Sequence, residues 1–542
     1  MKKLNNKWKY GILVVFFLVL ANLEFLVRKD LIYGHDIYFH LARIKGISDS
    51  IKAGTIPALI YPGYLSGYGY PNGVFYADIF LYLPALLVYL GLNINIAYKI
   101  MMILINIGIF GSMYYAMKKI AKNKYTALIV SLMYLMSSYK FCDMFLRAAL
   151  GETLAFMFFP LFILGLYSIF YGDKKNWYYF TIGLIGICFS HNLSLLMCLM
   201  VTILVFFLNI KEVFKDKERF RKLMIGGILA ILICLSFIGP MVEMMVSDKF
   251  SYSTLLGSDM VVKRAANPLY AIIAIPSGAS PWQPMGIGLG FIFLLVYLRK
   301  VMIKDKKDNK FSRDMLFLGL VFLVLSTSIF PWNLVKNFLG IIQFPWRFYM
   351  LVTILLLVGF GIKISNYKNL NKKIFTIVVS AFMIVTFLIG SVYHLRFNGL
   401  DDNKEYWISQ GEYVPDDVDL EYLKTRGDII TSNEDVKTTF ERRGINLEIS
   451  YSDNNSGNNS GNTYLELPLV YYKGYVAKED NNTLKVIKGD NGLVRVYLNN
   501  SEGNIKVYYG FTKVRIVCLI ISVIALGGFI IIIKNQNKNY LI

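Results

Sequence analysis

The chain of 542 residues is 56% apolar, 15% aromatic and only 17% charged, against roughly 45–50% apolar and 25% charged in soluble domains. That excess of apolar side chains excludes a soluble enzyme, a disordered chain and a nucleic-acid-binding module of ordinary composition. The formal charge of +21 is divided: residues 394–512 carry 19 Asp+Glu against 13 Lys+Arg, and the remainder carries 44 Lys+Arg against 17 Asp+Glu. Such asymmetry between segments points to two environments, a membrane-embedded body and one acidic water-soluble domain, with no nucleic-acid partner.

In chain order, apolar runs near 10–27, 96–116, 126–138, 153–171, 177–189, 193–210, 223–245, 286–298, 315–330, 349–362, 374–393 and 514–533 give twelve candidate spans. A bilayer-crossing helix needs about 20 mostly apolar residues, fewer when packed inside protein. The further run Ile79–Leu92 is shorter, contains Pro84 and reads as interfacial. With it left out, the alternate connectors hold 29 Lys+Arg: the N-terminus, Lys118–Lys124, Lys174–Lys175, Lys211–Lys222, Arg299–Arg313, Lys363–Lys373 and Lys534–Lys538. The positive-inside rule places these in the cytoplasm beside anionic headgroups, with both termini inside and residues 394–512 outside. The basic start and first run lack a small-residue cleavage site, since Leu23-Glu24-Phe25-Leu26 follows, and read as a retained span. The five cysteines lie in or beside apolar runs, so the acidic domain has no disulfide framework and no metal-ligand spacing appears. Abundant Asn, Lys and Ile fit an AT-rich bacterial genome.

This topology puts all four histidines (His35, His40, His191 and His394) on the outer side, with the Pro/Gly-rich and polar loops. The first outer loop, within residues 28–95, is the most informative. Asp36, His40 and Arg43 are spaced i, i+4, i+7, so a helix presents them on one face, and Gly54 ends that helix. One reading is an interfacial amphipathic helix with Asp36 offsetting the dipole at its N-terminus. The other is a carboxylate held at a membrane-facing pocket beside His and Arg. Asp49 suits a solvated helix face, and Asp78 a helix N-cap.

Farther along, Arg147 and Glu152 flank a small-residue step between spans, either as a structural ion pair or in contact with substrate. His191-Asn192 interrupts a long apolar stretch, where polarity is costly unless it lines a cavity or caps a turn. A turn-capping role suits Asn192, and His191 is open to substrate binding. Pro276–Pro284 reads as a loop near the pocket, with Trp282 a sugar-stacking candidate. In the acidic domain, His394–Leu423 is a polar connector. Strand-like runs follow at Asn446–Ser450, Tyr464–Tyr472, Leu484–Ile487, Leu493–Leu498 and Ile505–Tyr509, separated by Gly/Asn/Asp turns, as in a small antiparallel sandwich. Recognition of a polymer, a lid and plain structural support all fit such a domain. Asp416, Asp417 and Asp419 show no EF-hand spacing.

Gly34-His35-Asp36 with His40 and Arg43, then GYGYP (Gly67–Pro71), resembles the first loop of a bacterial membrane-protein family that carries the misleading label "6-pyruvoyl-tetrahydropterin synthase-related" and is akin to YfhO-type proteins. The likeness continues through Arg147–Glu152, Ser190–Asn192, Phe344–Phe348 and Gly411–Pro415. The resemblance places the chain with the GT-C superfamily of polytopic glycosyltransferases. Together with the runs above this gives a GT-C-like polytopic all-α membrane protein of about 12 transmembrane helices plus interfacial helices, all but the last span within residues 1–393, an extracytoplasmic mainly-β domain (394–512), and a last span and tail (513–542).

The resemblance further implies inverting sugar transfer from a polyprenyl-phosphate donor to a cell-envelope acceptor hydroxyl, with the first-loop Asp36 as general base. His35, His40, Arg43, Arg147, Glu152, His191, Asn192, Trp346 and Arg347 are the expected substrate-binding residues. Arg347 is first choice for the donor phosphate, because its planar fork holds oxygens bidentately. Trp346 would lie against lipid or sugar, although Trp and Arg also gather at membrane boundaries as anchors. Many superfamily members carry paired acidic residues in this loop; His35-Asp36-Ile37 offers one, which leaves a divalent cation in doubt. A transporter or flippase of lipid-linked saccharides and an accessory subunit are the competing readings. Distinctive residues gathered on one face, with no internal repeat, favour an outer-leaflet enzyme.

Overall fold

The computed structural model describes residues 6–251, 259–273, 286–288, 290, 293–294, 296–297, 309–367, 369–394, 411–453, 463–480 and 482–538. The Pro276–Pro284 loop with Trp282, parts of the 286–298 run and residues 401–410 lie outside them.

Among the described residues, six helices are long and apolar enough to cross a membrane: Ile94–Ala121, Leu150–Phe170, Lys217–Ser247, Pro345–Asn366, Lys372–Ser391 and Lys513–Gln536. The chain is a multi-pass membrane protein. Shorter apolar helices stand where other candidates were read, including Trp8–Ala21, Lys124–Leu135, Tyr178–Cys188, Asn192–Leu208 and Lys310–Leu325. Helix Pro345–Asn366 is the most enclosed, with 89% of its apolar window buried, whereas Lys513–Gln536 leaves all but 17% open. In water so much open apolar surface would be unfavourable, and a bilayer covers it. The Ile79–Leu92 run forms a 3₁₀ turn, Ile79–Leu81, and the helix Tyr82–Tyr89. At about 1.5 Å per residue that is far short of a bilayer core.

The C-terminal β region contains β1 (Thr431–Ser432), β2 (Val436–Arg443), β3 (Asn446–Asp453), β4 (Tyr464–Val470), β5 (Tyr475–Glu479), β6 (Asn482–Leu484), β7 (Val486–Lys488), β8 (Leu493–Tyr497) and β9 (Glu502–Tyr509). They form two antiparallel sheets, ordered β1-β4-β8-β7 and β2-β3-β9-β5-β6. Alternate residues such as Leu447, Ile449, Val496, Ile505 and Val507 point into one shared core, following the period-2 rule of strands.

That core is not closed by the strands alone. Leu59, Ile60, Tyr68, Val74 and Phe75 of the first loop belong to it. The Val470 amide donates to the Tyr68 carbonyl at 3.0 Å, and Arg442 Nη1 donates to the Gly67 carbonyl at 2.9 Å. Phe75 stacks on Tyr413 with ring centroids 4.2 Å apart. The β region is thereby fastened over the GYGYP segment.

Candidate functional site

The first loop is brought to the Arg147–Glu152 step by a close backbone approach. The His35 amide donates to the Leu146 carbonyl at 3.1 Å and the Asp36 amide to the Arg147 carbonyl at 2.9 Å. Gly34 permits this, since a Cβ there would lie 2.6 Å from the Phe145 carbonyl oxygen and 2.7 Å from Ala148 Cβ. Opposite it, the chain unwinds into a π-helical turn, Cys142–Leu146, a feature frequent at functional sites. Ala148 then adopts φ +50°, a left-handed conformation that costs a non-glycine residue roughly 1–2 kcal/mol.

Asp36 stands at the N-cap position of helix Ile37–Lys52, yet its carboxylate makes no capping hydrogen bond. The residue is exposed, but protein crowds it on several sides. The surrounding protein raises its pKa above the ordinary carboxylate value; Arg147 and Arg347 oppose that shift and Glu152 adds to it. Exposure together with crowding means that the carboxylate faces a recess. Burial, Arg147 and Arg264 push His35 down to about 4, so its imidazole is neutral near pH 7.

The wall of that recess is a network of charges. Arg147 holds Glu152 bidentately, Nη1 to Oε2 at 2.7 Å and Nη2 to Oε1 at 2.8 Å, and Asp143 Oδ1 through Nη1 at 2.6 Å. Arg347 Nε donates to the same Glu152 Oε1 at 2.9 Å, while its Nη1 reaches the Ile342 carbonyl and Gln343 Oε1, each at 2.9 Å. The Tyr139 hydroxyl donates to Glu152 Oε2 at 3.1 Å. Glu152, between two guanidiniums, keeps the negative charge. Burial and the Glu152 charge push Asp143 well above the usual carboxylate range, and its Oδ2 has no hydrogen-bond partner. Among the described residues, Arg347 Nη2 makes no hydrogen bond, so one edge of that fork is unspent.

His40 and Arg43 lie farther along the same helix. The Leu150 amide donates to His40 Nε2 at 3.2 Å, and His40 Nδ1 is 3.2 Å from Arg43 Nη1. Burial, Arg43 and His191 hold His40 well below its ordinary pKa. Arg43 is paired with Asp78 Oδ1 through Nη2 at 2.6 Å and Nε at 3.1 Å, and the Tyr61 hydroxyl donates to Asp78 Oδ2. Asp78 therefore does not act as the expected N-cap: no cap hydrogen bond forms before Ile79–Leu81. Its buried carboxylate gains more from a guanidinium that would otherwise be unpaired. Asp49 is a half-buried partner of Lys45 at 2.7 Å, on the outer face of the helix.

The Ser190–Asn192 segment closes the far side, with the Ser190 carbonyl oxygen 2.9 Å from a Cβ built at Gly151. His191, rather than Asn192, is the cap of helix Asn192–Leu208: the Ser194 amide donates to His191 Nδ1 at 3.3 Å. An imidazole nitrogen one residue earlier reaches the free amides, and Asn192 is left exposed, with its Nδ2 3.5 Å from Met241 Sδ. Burial, Arg347 and Arg147 push His191 down to about 4, with Glu152 opposing, so it too is neutral near pH 7. Trp346 is only 6% exposed and stacks on Phe344, centroids 4.8 Å apart, with its indole N–H unpartnered. It offers no open face to lipid or sugar in this arrangement.

The structure thus gathers His35, Asp36, Arg147, Glu152, His191 and Arg347 around one recess, sets His40 and Arg43 behind it, buries Trp346 at its edge and leaves Asn192 outside. Tyr139, Asp143 and Gln343 join the cluster although sequence reading missed them. The i, i+4, i+8 spacing of Tyr139, Asp143 and Arg147 was the available signal for two of them. Among the described residues no group of three or more His, Cys, Asp and Glu comes together to hold a metal. Asp36 is a lone carboxylate, and Glu152 beside it is committed to two guanidiniums, a donor set that does not fit a divalent cation.

A family model described as "6-pyruvoyl-tetrahydropterin synthase related domain; membrane protein" matches residues 74–398. An uncharacterised protein of Lactococcus lactis subsp. cremoris (strain MG1363) is 23% identical over 350 residues, spanning 61% of this chain and 55% of that protein. The chain therefore matches little more than half the length of that relative. Among solved structures, the arabinofuranosyltransferase AftD from Mycobacteria is similar over 73% of this chain and 27% of its own, with 11% identity and a TM-score of 0.43, too loose a likeness to assign the fold.

Proposed function

The chain belongs to the 6-pyruvoyl-tetrahydropterin synthase related family of membrane proteins, and on that premise we propose that it is a membrane glycosyltransferase of GT-C type. It moves a sugar from a polyprenyl-phosphate donor to an envelope acceptor on the outer face. The observation that carries the reading is Asp36: an exposed, uncapped carboxylate facing a recess walled by Arg147, Glu152 and Arg347. The likeness of the first-loop motifs to that family, which the resemblance places with the GT-C superfamily, supports it.

In this reading the acceptor hydroxyl oxygen attacks the anomeric carbon while Asp36 takes its proton, the bond from that carbon to the carrier phosphate oxygen breaks, and the configuration inverts. The leaving polyprenyl phosphate gains negative charge. The open Nη2 edge of Arg347 meets it, and Glu152 fixes the orientation of that guanidinium before substrate arrives. Neutral His35 and His191 act as hydrogen-bonding groups. His40, Arg43 and Asp78 set the position of the helix that carries Asp36. The domains fall as 1–393, 394–512 and 513–542, with both termini cytoplasmic and the β region outside.

A second reading, non-catalytic handling of a lipid-linked saccharide by a transporter or accessory subunit, draws on one observation: Arg147 and Arg347 are already charge-paired through Glu152. Single-turnover transfer of a radiolabelled sugar from polyprenyl phosphate by the purified full chain separates the two. Transfer supports the enzyme, whereas donor binding without transfer supports the second reading.

A further inference from the structure

A cavity of about 260 Å³ is lined by first-loop residues that do not include Asp36. Tyr76, Ala77 and Asp78 form one wall, and Asp78 is the partner of Arg43. Arg43 is seven residues along the helix from Asp36, about 10 Å at the helical rise. The remaining walls are mostly apolar: Ile56 and Ile79 of the same loop, Phe189 beyond helix Tyr178–Cys188, and Phe237 of Lys217–Ser247, with Tyr82 and Ser236 the polar side chains beside them.

One cation, Arg515, enters this cavity from the first turn of Lys513–Lys538, the end of that helix next to the β region. The first turn carries no acidic residue, so Arg515 adds to the positive end of the helix dipole. Among the described residues Arg515 makes no ion pair. The carboxylates near it are occupied: Glu243 by the Thr512 hydroxyl at 2.5 Å and Lys473 at 3.2 Å, and Asp78 by Arg43 and Tyr61. Ile56 and Ile79 remain 65% and 59% exposed, so apolar surface runs from the cavity outward. A half-buried cation that forms no ion pair, beside a carboxylate (Glu243) already held by Thr512 and Lys473, above a largely apolar cleft between two spans, is complementary to an anion that carries a hydrocarbon tail.

We infer that this cavity seats an anionic phospholipid of the bilayer, with its phosphate on Arg515 and its acyl chain along Ile56, Ile79 and Phe237. The lipid braces the Tyr76–Asp78 wall, and through Asp78 the position of Arg43. The inference stands apart from the transferase reading, because it concerns a different cavity and needs no reaction.

The test is native mass spectrometry of the full chain in detergent, titrated separately with phosphatidylglycerol, phosphatidylcholine, polyprenyl phosphate and inorganic phosphate. The wild type retains phosphatidylglycerol in preference to phosphatidylcholine. Arg515→Gln weakens that retention about ten-fold, and Arg515→Lys, which keeps the charge, stays within about three-fold of wild type. Equal retention of the two phospholipids, unchanged retention by Arg515→Gln with normal elution, retention of polyprenyl phosphate alone, or displacement of the lipid by millimolar inorganic phosphate would each overturn it.

Discussion

Glu152 and Arg347 stand 195 residues apart in the chain and meet in a buried ion pair at 2.9 Å. Arg147 grips the other side of the same carboxylate at 2.7 and 2.8 Å. Glu152 is therefore the joint between the helix that follows the first-loop contact and the helix that begins at Pro345. Replacing it with Gln leaves two buried guanidiniums without their shared counter-charge, which costs about 3–5 kcal/mol. Thermal unfolding in detergent should show a marked loss for Glu152→Gln. The Glu152→Gln, Arg347→Gln double variant should lose clearly less than the sum of the singles.

The pH dependence follows from the groups facing the recess. Asp36 must be ionised to accept a proton, and its pKa is raised by the protein crowded around it. The acid limb of the rate profile should lie above the ordinary carboxylate value of about 4. The sign for stability is opposite: a raised carboxyl pKa favours the protonated folded form, so this contribution is full at low pH and fades as pH rises through the shifted pKa. His35 and His191, pushed down to about 4, remain neutral from pH 6 to 8. Replacing His191 with Asn should leave the limb where it is, and a rate profile between pH 4.5 and 8 checks both statements.

Gly34 is a point of contact rather than of flexibility. A methyl group there meets the Phe145 carbonyl oxygen and Ala148 Cβ below 3 Å. Gly34→Ala should separate the two backbone hydrogen bonds that seat His35 and Asp36, at about 1–3 kcal/mol. Hydrogen exchange at the His35 and Asp36 amides should rise, while exchange in the β region stays unchanged.

The β region is held to the first loop by side chains of its own. Arg442 donates to the Gly67 carbonyl at 2.9 Å, the Pro468 carbonyl at 3.0 Å and Asp428 at 2.5 Å. Arg442→Ala should loosen the GYGYP clamp, and limited proteolysis should cut between residues 60 and 75 several-fold faster than in wild type.

How far sequence carried the description depends on where each signal resides. His40 and Arg43 fall on one helix face because a period of 3.6 is local, whereas Asp36 stands outside helix Ile37–Lys52 at its N-cap, exposed where they are buried. The apolar runs marked helices because hydrocarbon burial is a composition effect. The strands β3, β4, β8 and β9 were legible in alternating or β-branched runs, whereas β2 was not. Its residues VKTTFERR alternate only between half-buried and exposed at a sheet edge, which leaves no apolar stripe to read. Partnership across long separations was equally hidden. Asp78 read as a cap because its local context is a helix start, and its pairing with Arg43, 35 residues earlier, is a tertiary fact. His191 displaced Asn192 as the cap because ring geometry, invisible in composition, decides which side chain reaches the Ser194 amide.

Whether Asp36 is the base in a sugar transfer is decided by Asp36→Asn. The substitution keeps the shape and removes the proton acceptor, so the purified variant should fold, bind a polyprenyl-phosphate sugar and show transfer reduced by roughly 10²–10⁴-fold. Transfer at the wild-type rate by a correctly folded Asp36→Asn protein would contradict the account.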